Sequence, residues 1–339
     1  MTTYMQEVIQ TAWHRKNALY SLVLKPLSWL FGIVTAARRY GYKQGFFKSY
    51  ALPVPIVVVG NINVGGSGKT PVVMWLVEQL KNNGYQPAVI SRGYGGSVKD
   101  PTPVGVNSPA SLVGDEPVLI KNRSACPVWV GANRVKVATA LLIAHPECDV
   151  IISDDGLQHY QLKRDVEIAV IDAEQHEKYA RLLPAGQLRE PLSRLTNVDA
   201  VICNGPKSED SYYHMQLVGE QFYNLADTEK HAQAADFRQK TIKAMAGIGK
   251  PERFFEHLRQ LGMTFVSVSF DDHFAFSAQD LAQIDCDILI MTEKDAVKCK
   301  PFAQPHHWVL PVTANIDAAL LPLVLRKLAF KKTSLTKLT

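Results

Sequence analysis

What the chain lacks narrows it first. Its five cysteines, at 126, 148, 203, 286 and 299, are odd in number and form no CxxC pair. That argues against a disulfide framework or a zinc site, and a reducing cytosol is the natural home of such a chain. No repeat of fixed period and no low-complexity segment is visible, which sets solenoid and array architectures aside. Long apolar runs are missing too. Leu19 to Ala37 is mostly apolar, but Lys25-Pro26 breaks it, and the charge-free stretch Pro26–Ala37 is shorter than the ~20 residues of a spanning helix. The same run starts late and leads to no small-x-small cleavage site, so it does not read as a signal peptide.

What is present is an ordinary globular composition, 47% hydrophobic and 20% charged over 339 residues, long enough for two α/β domains. Charge is unevenly placed. Residues 1–50 hold seven Lys/Arg (Arg15, Lys16, Lys25, Arg38, Arg39, Lys43, Lys48) against the single acid Glu7, and ten of the 30 aromatics. Basic residues, Trp13, Trp29 and an apolar face compose a helix that lies in a membrane interface. The same composition also suits an N-terminal helix docked on its own domain with Arg and Lys on the wet side.

Pro53 to Val59 is a short β-branched run that predicts a strand. A Gly-rich loop follows, and then Val72, Val73, Leu76, Val77 and Leu80 recur at helical spacing until Asn82-Asn83-Gly84 stops the helix. Ala88–Ile90 reads as the next strand. Strand, loop, helix, strand is a βαβ unit and implies a parallel sheet. Val128–Val130, Val150–Ile152, Ile168–Ile171 and Ala200–Cys203 add strands, and Val135–Ala144 a helix. Residues 206–240 read as a linker with room for a hairpin. A second block then alternates strand Ile242–Ala246, helix Pro251–Leu261, strand Thr264–Val268, helix Ala278–Ile284 and strand Ile288–Met291. The expected organisation is an N-terminal helical segment over 1–50, a phosphate-loop domain over 51–205, the linker, and a smaller α/β domain over 241–339.

The loop reads Asn63-Val64-Gly65-Gly66-Ser67-Gly68-Lys69-Thr70. It matches the phosphate-binding signature G-x-x-x-x-G-K-[ST] except at its first position. Asn is the non-glycine residue that best tolerates a left-handed backbone, so its place at the first position is a mild departure. Gly65, Gly66 and Gly68 let backbone N–H groups turn onto phosphate oxygens, and the following helix points its positive end there. Lys69 would reach the β/γ-phosphates of ATP and Thr70 the magnesium. Pro71 belongs in the helix's first turn. The apolar strand ending in Asp154-Asp155 supplies carboxylates for Mg²⁺; an Asp pair capping the next turn is the plainer alternative. A GTP switch would need an N-K-x-D segment, and Thr292-Glu293-Lys294-Asp295 fails that spacing.

Several runs, in order, resemble the tetraacyldisaccharide 4′-kinases, the lipid A 4′-kinases of Gram-negative bacteria. They are Val59-Gly60-Asn61 with Val64 to Pro71; Ser91-Arg92-Gly93-Tyr94-Gly95; Gly114-Asp115-Glu116-Pro117; Asp154-Asp155-Gly156-Leu157-Gln158-His159; Gly186-Gln187-Leu188-Arg189-Glu190-Pro191; Asp272-His273-Phe274; and Thr292 to Lys298. The resemblance implies ATP- and Mg²⁺-dependent phosphorylation of the 4′-hydroxyl of an acylated glucosamine disaccharide 1-phosphate at the cytoplasmic face of the inner membrane. It implies a lipid substrate and an anionic membrane surface as partners, with neither nucleic acid nor an obligate protein partner, and it favours the interfacial reading of the N-terminal segment. By the same resemblance Asp115 is the expected acceptor of the hydroxyl proton and His273 its partner, the two meeting when the domains close. Arg134 is expected to neutralise phosphoryl charge. Arg92, Tyr94, Gln158, His159, Arg189 and Glu190 are expected at the substrate or nucleotide. Thr70, Glu116, Asp154 and Asp155 are expected at the metal. Read without the resemblance, Asp115 could be an N-cap, His273 a structural histidine, and Arg92 and Tyr94 the shapers of a Gly-rich turn. A membrane-associated ATPase that positions a partner, and a non-catalytic nucleotide-binding scaffold, are the rival functions.

Overall fold

The computed structural model of the chain describes residues 18–173, 181–205 and 212–336; Trp13, Arg15 and Lys16 lie outside them. Helix α1 spans Ala18–Lys43 and passes through Pro26, where the apolar run is interrupted. Pro26 is exposed, so water can take up the carbonyl left without a donor. One strip of α1 is docked. The Ser28 hydroxyl donates to the Leu182 carbonyl at 2.8 Å and accepts from the Ala185 N–H at 3.0 Å. One turn on, a Cβ at Gly32 would lie 2.9 Å from the Leu182 side chain.

After α1 come β1 (Ile56–Gly60), α2 (Lys69–Asn82), β2 (Pro87–Ser91), β3 (Thr102–Pro103), α3 (Ala110–Val113), α4 (Asp115–Ser124), β4 (Val128–Val130) and α5 (Arg134–Ala144). The middle of the chain supplies β5 (Val150–Asp154), β6 (Val166–Asp172), β7 (Ala200–Asn204), β8 (Tyr213–Val218), β9 (Gln221–Asn224) and β10 (His231–Gln233). The last third holds β11 (Ile242–Ala246), α6 (Pro251–Gln260), β12 (Val266–Ser269), α7 (Ala278–Ala282), β13 (Ile288–Thr292), α8 (Glu293–Cys299), β14 (His307–Leu310), β15 (Thr313–Ile316) and α9 (Leu320–Thr336). β1 begins later than the apolar run suggests, because Pro53 and Pro55 cannot donate to a ladder; its first N–H, at Ile56, is taken by the Asp165 carboxylate at 2.9 Å.

Contacts divide the chain into two compact units that interleave along it: Met1–Lys69 with Asp149–Gln216 and Ile316–Thr339, and Thr70–Cys148 with Leu217–Asn315. In the first, β8, β7, β6, β1 and β5 run parallel in that order. β1, β5 and β7 are buried throughout, which is why they read as unbroken apolar runs rather than alternating ones. The β1–β5 register sets Val59 beside Asp154. The carboxylates at the end of β5 therefore emerge next to the strand that feeds the phosphate loop.

In the second unit β2 pairs parallel with β4, and β3 antiparallel with β4. A six-stranded sheet runs in the order β10-β9-β14-β13-β11-β12. Its β11 to β14 are parallel, with the antiparallel β9–β10 pair on one edge. Of the interval 206–240, residues 206–211 lie outside the described part; the remainder supplies β8 to β10. Phe222, Phe237, Phe255 and Trp308 form the aromatic centre of this sheet's core. The fold class is therefore α/β, with a phosphate-loop parallel sheet, a second, smaller sheet and an N-terminal helix.

Candidate active site

The phosphate loop is held from behind by amides. Asn61 is fully buried; its side chain donates to the Gly65 carbonyl at 3.3 Å and the Ser67 hydroxyl at 3.4 Å. Its own carbonyl accepts from Gln158 at 2.9 Å. Asn204, at the end of β7, donates to the Ser67 carbonyl at 3.1 Å. Gly65 and Gly68 adopt φ of +107° and +92°, conformations open to glycine. Gly65 and Gly66 face open space, whereas a Cβ at Gly68 would lie 2.8 Å from Asn204 and 2.9 Å from Met215. Asn63 does not call on that tolerance. It is not among the positive-φ residues; it is buried in an antiparallel bridge with Leu188, and the Val64 N–H donates to the Gln187 carbonyl at 2.8 Å. The position is occupied as short extended backbone, which asks for no glycine.

Lys69 opens α2 and places its Nζ 3.5 Å from Asp155. Arg189 reaches the same carboxylate at 3.2 Å. Burial pushes the Asp155 carboxyl up, but Lys69 and Arg189 outweigh it and hold its pKa below the usual range. Asp155 itself sits at φ +48°, a strained left-handed turn that aims its side chain back toward Lys69. Among the described residues no cluster of three or more His, Cys, Asp or Glu forms a metal cage. The donors present at the end of β5 are hard carboxyl oxygens. They suit Mg²⁺, which uses one or two carboxylates plus water and nucleotide phosphates rather than an all-protein cage.

His159 is half-buried beside Gln158, and its carbonyl accepts from Arg164 at 2.6 Å. Glu190 is placed in a buried network: it accepts from the Tyr160 hydroxyl at 2.8 Å and pairs with Arg194 at 3.2 Å and with Arg39 of α1 at 3.8 Å. Burial and the Glu190 charge push the Tyr160 phenol up to about 12. Arg194 in turn grips both oxygens of Glu167 at 2.7 Å.

The second unit carries a separate constellation. Gly93 and Gly114 take φ of +70° and +91°, and a Cβ at either would meet the other's loop backbone within 2.8 Å. This close packing sets the start of α4, where Asp115 is buried. Nδ1 of His273 lies 3.0 and 3.1 Å from the two Asp115 oxygens. His273 adopts φ +62°, and its ring packs against exposed Tyr94 at 4.9 Å between centroids. Burial opposes the Asp115 carboxylate, but the His273 hydrogen bond and the charges of Lys294 and Lys298 hold its pKa below the ordinary carboxyl value. Both residues lie in one compact unit, and the pair is formed within it. Glu116 is paired with Lys294 at 3.3 Å. Arg134 is buried at the start of α5, with one guanidinium N–H on the Gly131 carbonyl at 2.8 Å. Arg92 is exposed at the end of β2.

Two residues here carried no role in the sequence reading. Lys294 and Lys298 are one turn apart on α8, and both point at the Asp115 cluster, at 3.3 Å from His273 Nε2 and 4.0 Å from Asp115 respectively. Their i, i+4 spacing was the available signal; the partner was 158 positions from His273 and invisible to any local pattern.

A glycine loop between a buried parallel strand and a helix, with lysine at the helix start and acid on the neighbouring strand, defines a P-loop nucleotide-binding α/β protein. The family model described as Tetraacyldisaccharide-1-P 4′-kinase matches residues 20–329, and the chain belongs to that family. Among curated relatives it is 48% identical to the tetraacyldisaccharide 4′-kinase of Methylobacillus flagellatus, over 91% of this chain and 92% of that one. It is 47% identical to the enzyme of the same name from Azoarcus sp., over 93% and 94%. Among solved structures it is similar to LpxK from Aquifex aeolicus in complex with ATP, at 28% identity and TM-score 0.75, covering 91% of this chain and 99% of that one.

Proposed function

We propose that the chain transfers the γ-phosphoryl group of ATP to the 4′-hydroxyl of a tetraacyl glucosamine disaccharide 1-phosphate. The observation that carries this over a partner-moving ATPase is the Asp115–His273 pair at 3.0 Å. A buried carboxylate kept ionised and oriented by a histidine is equipped to accept a proton from an alcohol; an ATPase that moves a partner has no alcohol to deprotonate.

In this reading Asp115 takes the 4′-hydroxyl proton as the sugar oxygen bonds to the γ-phosphorus, and the bond from that phosphorus to the β,γ-bridging oxygen breaks, releasing ADP. The backbone N–H groups of 64–68 cradle the phosphates, and Lys69 neutralises charge on the transferring group. Mg²⁺, held by Thr70, Asp154 and Asp155 together with the nucleotide, would supply further neutralisation. Arg134 adds positive charge. Arg92 and Tyr94, beside the Asp115 loop, and Gln158, His159, Arg189 and Glu190, on the phosphate-loop side, meet the substrate or nucleotide.

The substrate is a lipid, and α1 fits a bilayer surface. Val23, Leu27, Trp29, Leu30, Ile33 and Val34 are all more than half exposed, and no described helix is long and apolar enough to cross a membrane. The proposed location is peripheral, at the cytoplasmic face of the bacterial inner membrane, with anionic lipid meeting the basic residues. The test is a transfer assay with γ-labelled ATP and the acyl disaccharide 1-phosphate. Label in a bisphosphorylated lipid supports the reading, and label appearing only as inorganic phosphate overturns it.

A further inference from the structure

We infer that Lys294 is a positioning residue that sets the tautomer and ring orientation of His273. Three distances motivate it. Lys294 Nζ lies 3.3 Å from His273 Nε2, 3.2 Å from Asp272 and 3.3 Å from Glu116. An ammonium group can only donate hydrogen bonds. The imidazole nitrogen facing Lys294 must therefore present its lone pair, which leaves the ring proton on Nδ1. That nitrogen faces the Asp115 carboxylate at 3.0 Å, a group that can only accept. Both neighbours thus demand the same tautomer, with Nδ1–H donating to Asp115; the Asp272 carboxylate, 3.8 Å from Nε2, would draw the proton the other way, and Lys294 stands against it.

The surroundings explain why a lysine can hold this place. The side chain is largely buried, and Asp272 and Glu116 take its remaining donors. The two carboxylates beside it suit a cationic donor at this place. His273 needs such a restraint. Its φ of +62° places it on a turn next to Asp272, and Tyr94 packs against the ring at 4.9 Å between centroids.

The inference rests on the reading of Asp115 as proton acceptor, and the experiment separates the two. Full-length protein is assayed in mixed micelles as wild type, Lys294→Met, Lys294→Arg and Asp115→Asn, and ¹⁵N spectra of the histidine rings are recorded, with His273 assigned by its loss in His273→Asn. Expected is an Nδ1–H tautomer in wild type that is lost or mixed in Lys294→Met. The kcat of Lys294→Met should fall about 10- to 100-fold, a part of the roughly 10²–10⁴-fold that a positioned acid–base group supplies. KM for ATP should stay within about twofold, since in this reading Lys294 acts on His273 and not on the nucleotide. Lys294→Arg, which keeps a cationic donor, should recover most of the kcat. An unchanged kcat in Lys294→Met beside an inactive Asp115→Asn overturns the role of Lys294 alone. So does an unchanged His273 tautomer beside a reduced kcat. Near-normal kcat in Asp115→Asn overturns the acceptor reading and this inference with it.

Discussion

At the scale of single residues, two positions take a positive φ with different side-chain needs. Gly68 combines φ +92° with no room for a Cβ, so Gly68→Ala should cost about 1–3 kcal/mol in stability and abolish ATP binding by shifting Ser67 and Lys69; calorimetric titration with ATP and thermal unfolding measure the two. His273 is also left-handed but carries a side chain, and asparagine tolerates that region well. His273→Asn is therefore the substitution that removes the imidazole with least strain. It should lower kcat far more than it weakens ATP binding, and the double variant with Asp115→Asn should be little worse than the worse single, because groups acting as one unit are not additive. A consequence for stability follows from the depressed pKa of Asp115. A carboxylate depressed in the folded state stabilises above its unfolded pKa, and that stabilisation is lost as pH falls through the folded value. The stability gap between wild type and His273→Asn should be full above about pH 4 and narrow below it, as urea titrations across that range would reveal. A gap independent of pH would mean that the histidine does not stabilise the charged form of Asp115.

Elements add what no single residue has. α1 is held by a Ser28–Gly32 strip and turns its remaining apolar side outward. Phe31, next to Trp29 and Leu30 in sequence, is only half exposed, whereas Ile33 is 66% exposed; the outward face is thus Trp29, Leu30 and Ile33. Replacing these three with serine should release the protein from anionic vesicles in co-sedimentation while leaving ATP affinity unchanged, since all three side chains are mostly exposed. Retained sedimentation by the triple variant would assign this face to another partner. In the six-stranded sheet, Phe255 is fully buried on α6 among Phe254, Phe265 and Leu258. Phe255→Ala should cost about 3–5 kcal/mol, read from denaturant midpoints, a loss independent of any ligand.

For the molecule as a whole, ligand and membrane act through different terms. A ligand that binds only the folded state stabilises it by RT ln(1 + [L]/Kd), about 2.7 kcal/mol at a hundredfold excess over Kd. MgATP should therefore raise the unfolding temperature of wild type, and Lys69→Ala should lose most of that rise while keeping its ligand-free stability, because Lys69 is paired at the loop rather than packed in the core. Vesicle binding should respond to salt only in part. The excess of basic residues in 1–50 is screened at high ionic strength, while burial of the α1 face persists.

Much of this was legible locally. The β1–loop–α2 unit follows from a β-branched run, glycines and a helical stripe that stops at Asn82-Asn83-Gly84, because strand and helix periods and turn torsions are properties of adjacent residues. The acid at the end of β5 was legible for the same reason. Local reading failed where a distant partner overrides the local preference. It could not tell that Asn63 is extended against Leu188, that Pro26 is tolerated on an exposed side of α1, or that Glu190 is claimed by Tyr160 and Arg194. The ordered motifs pointed to Asp115 and His273, yet their separation of 158 residues and the lysine that faces the imidazole became specific only in three dimensions. Hydrogen-bond geometry between segments leaves no period in the sequence. The chain's local chemistry thus determined that it would hold phosphate, and the packing of α4, α8 and the turn at His273 decided which groups face the imidazole and from which side.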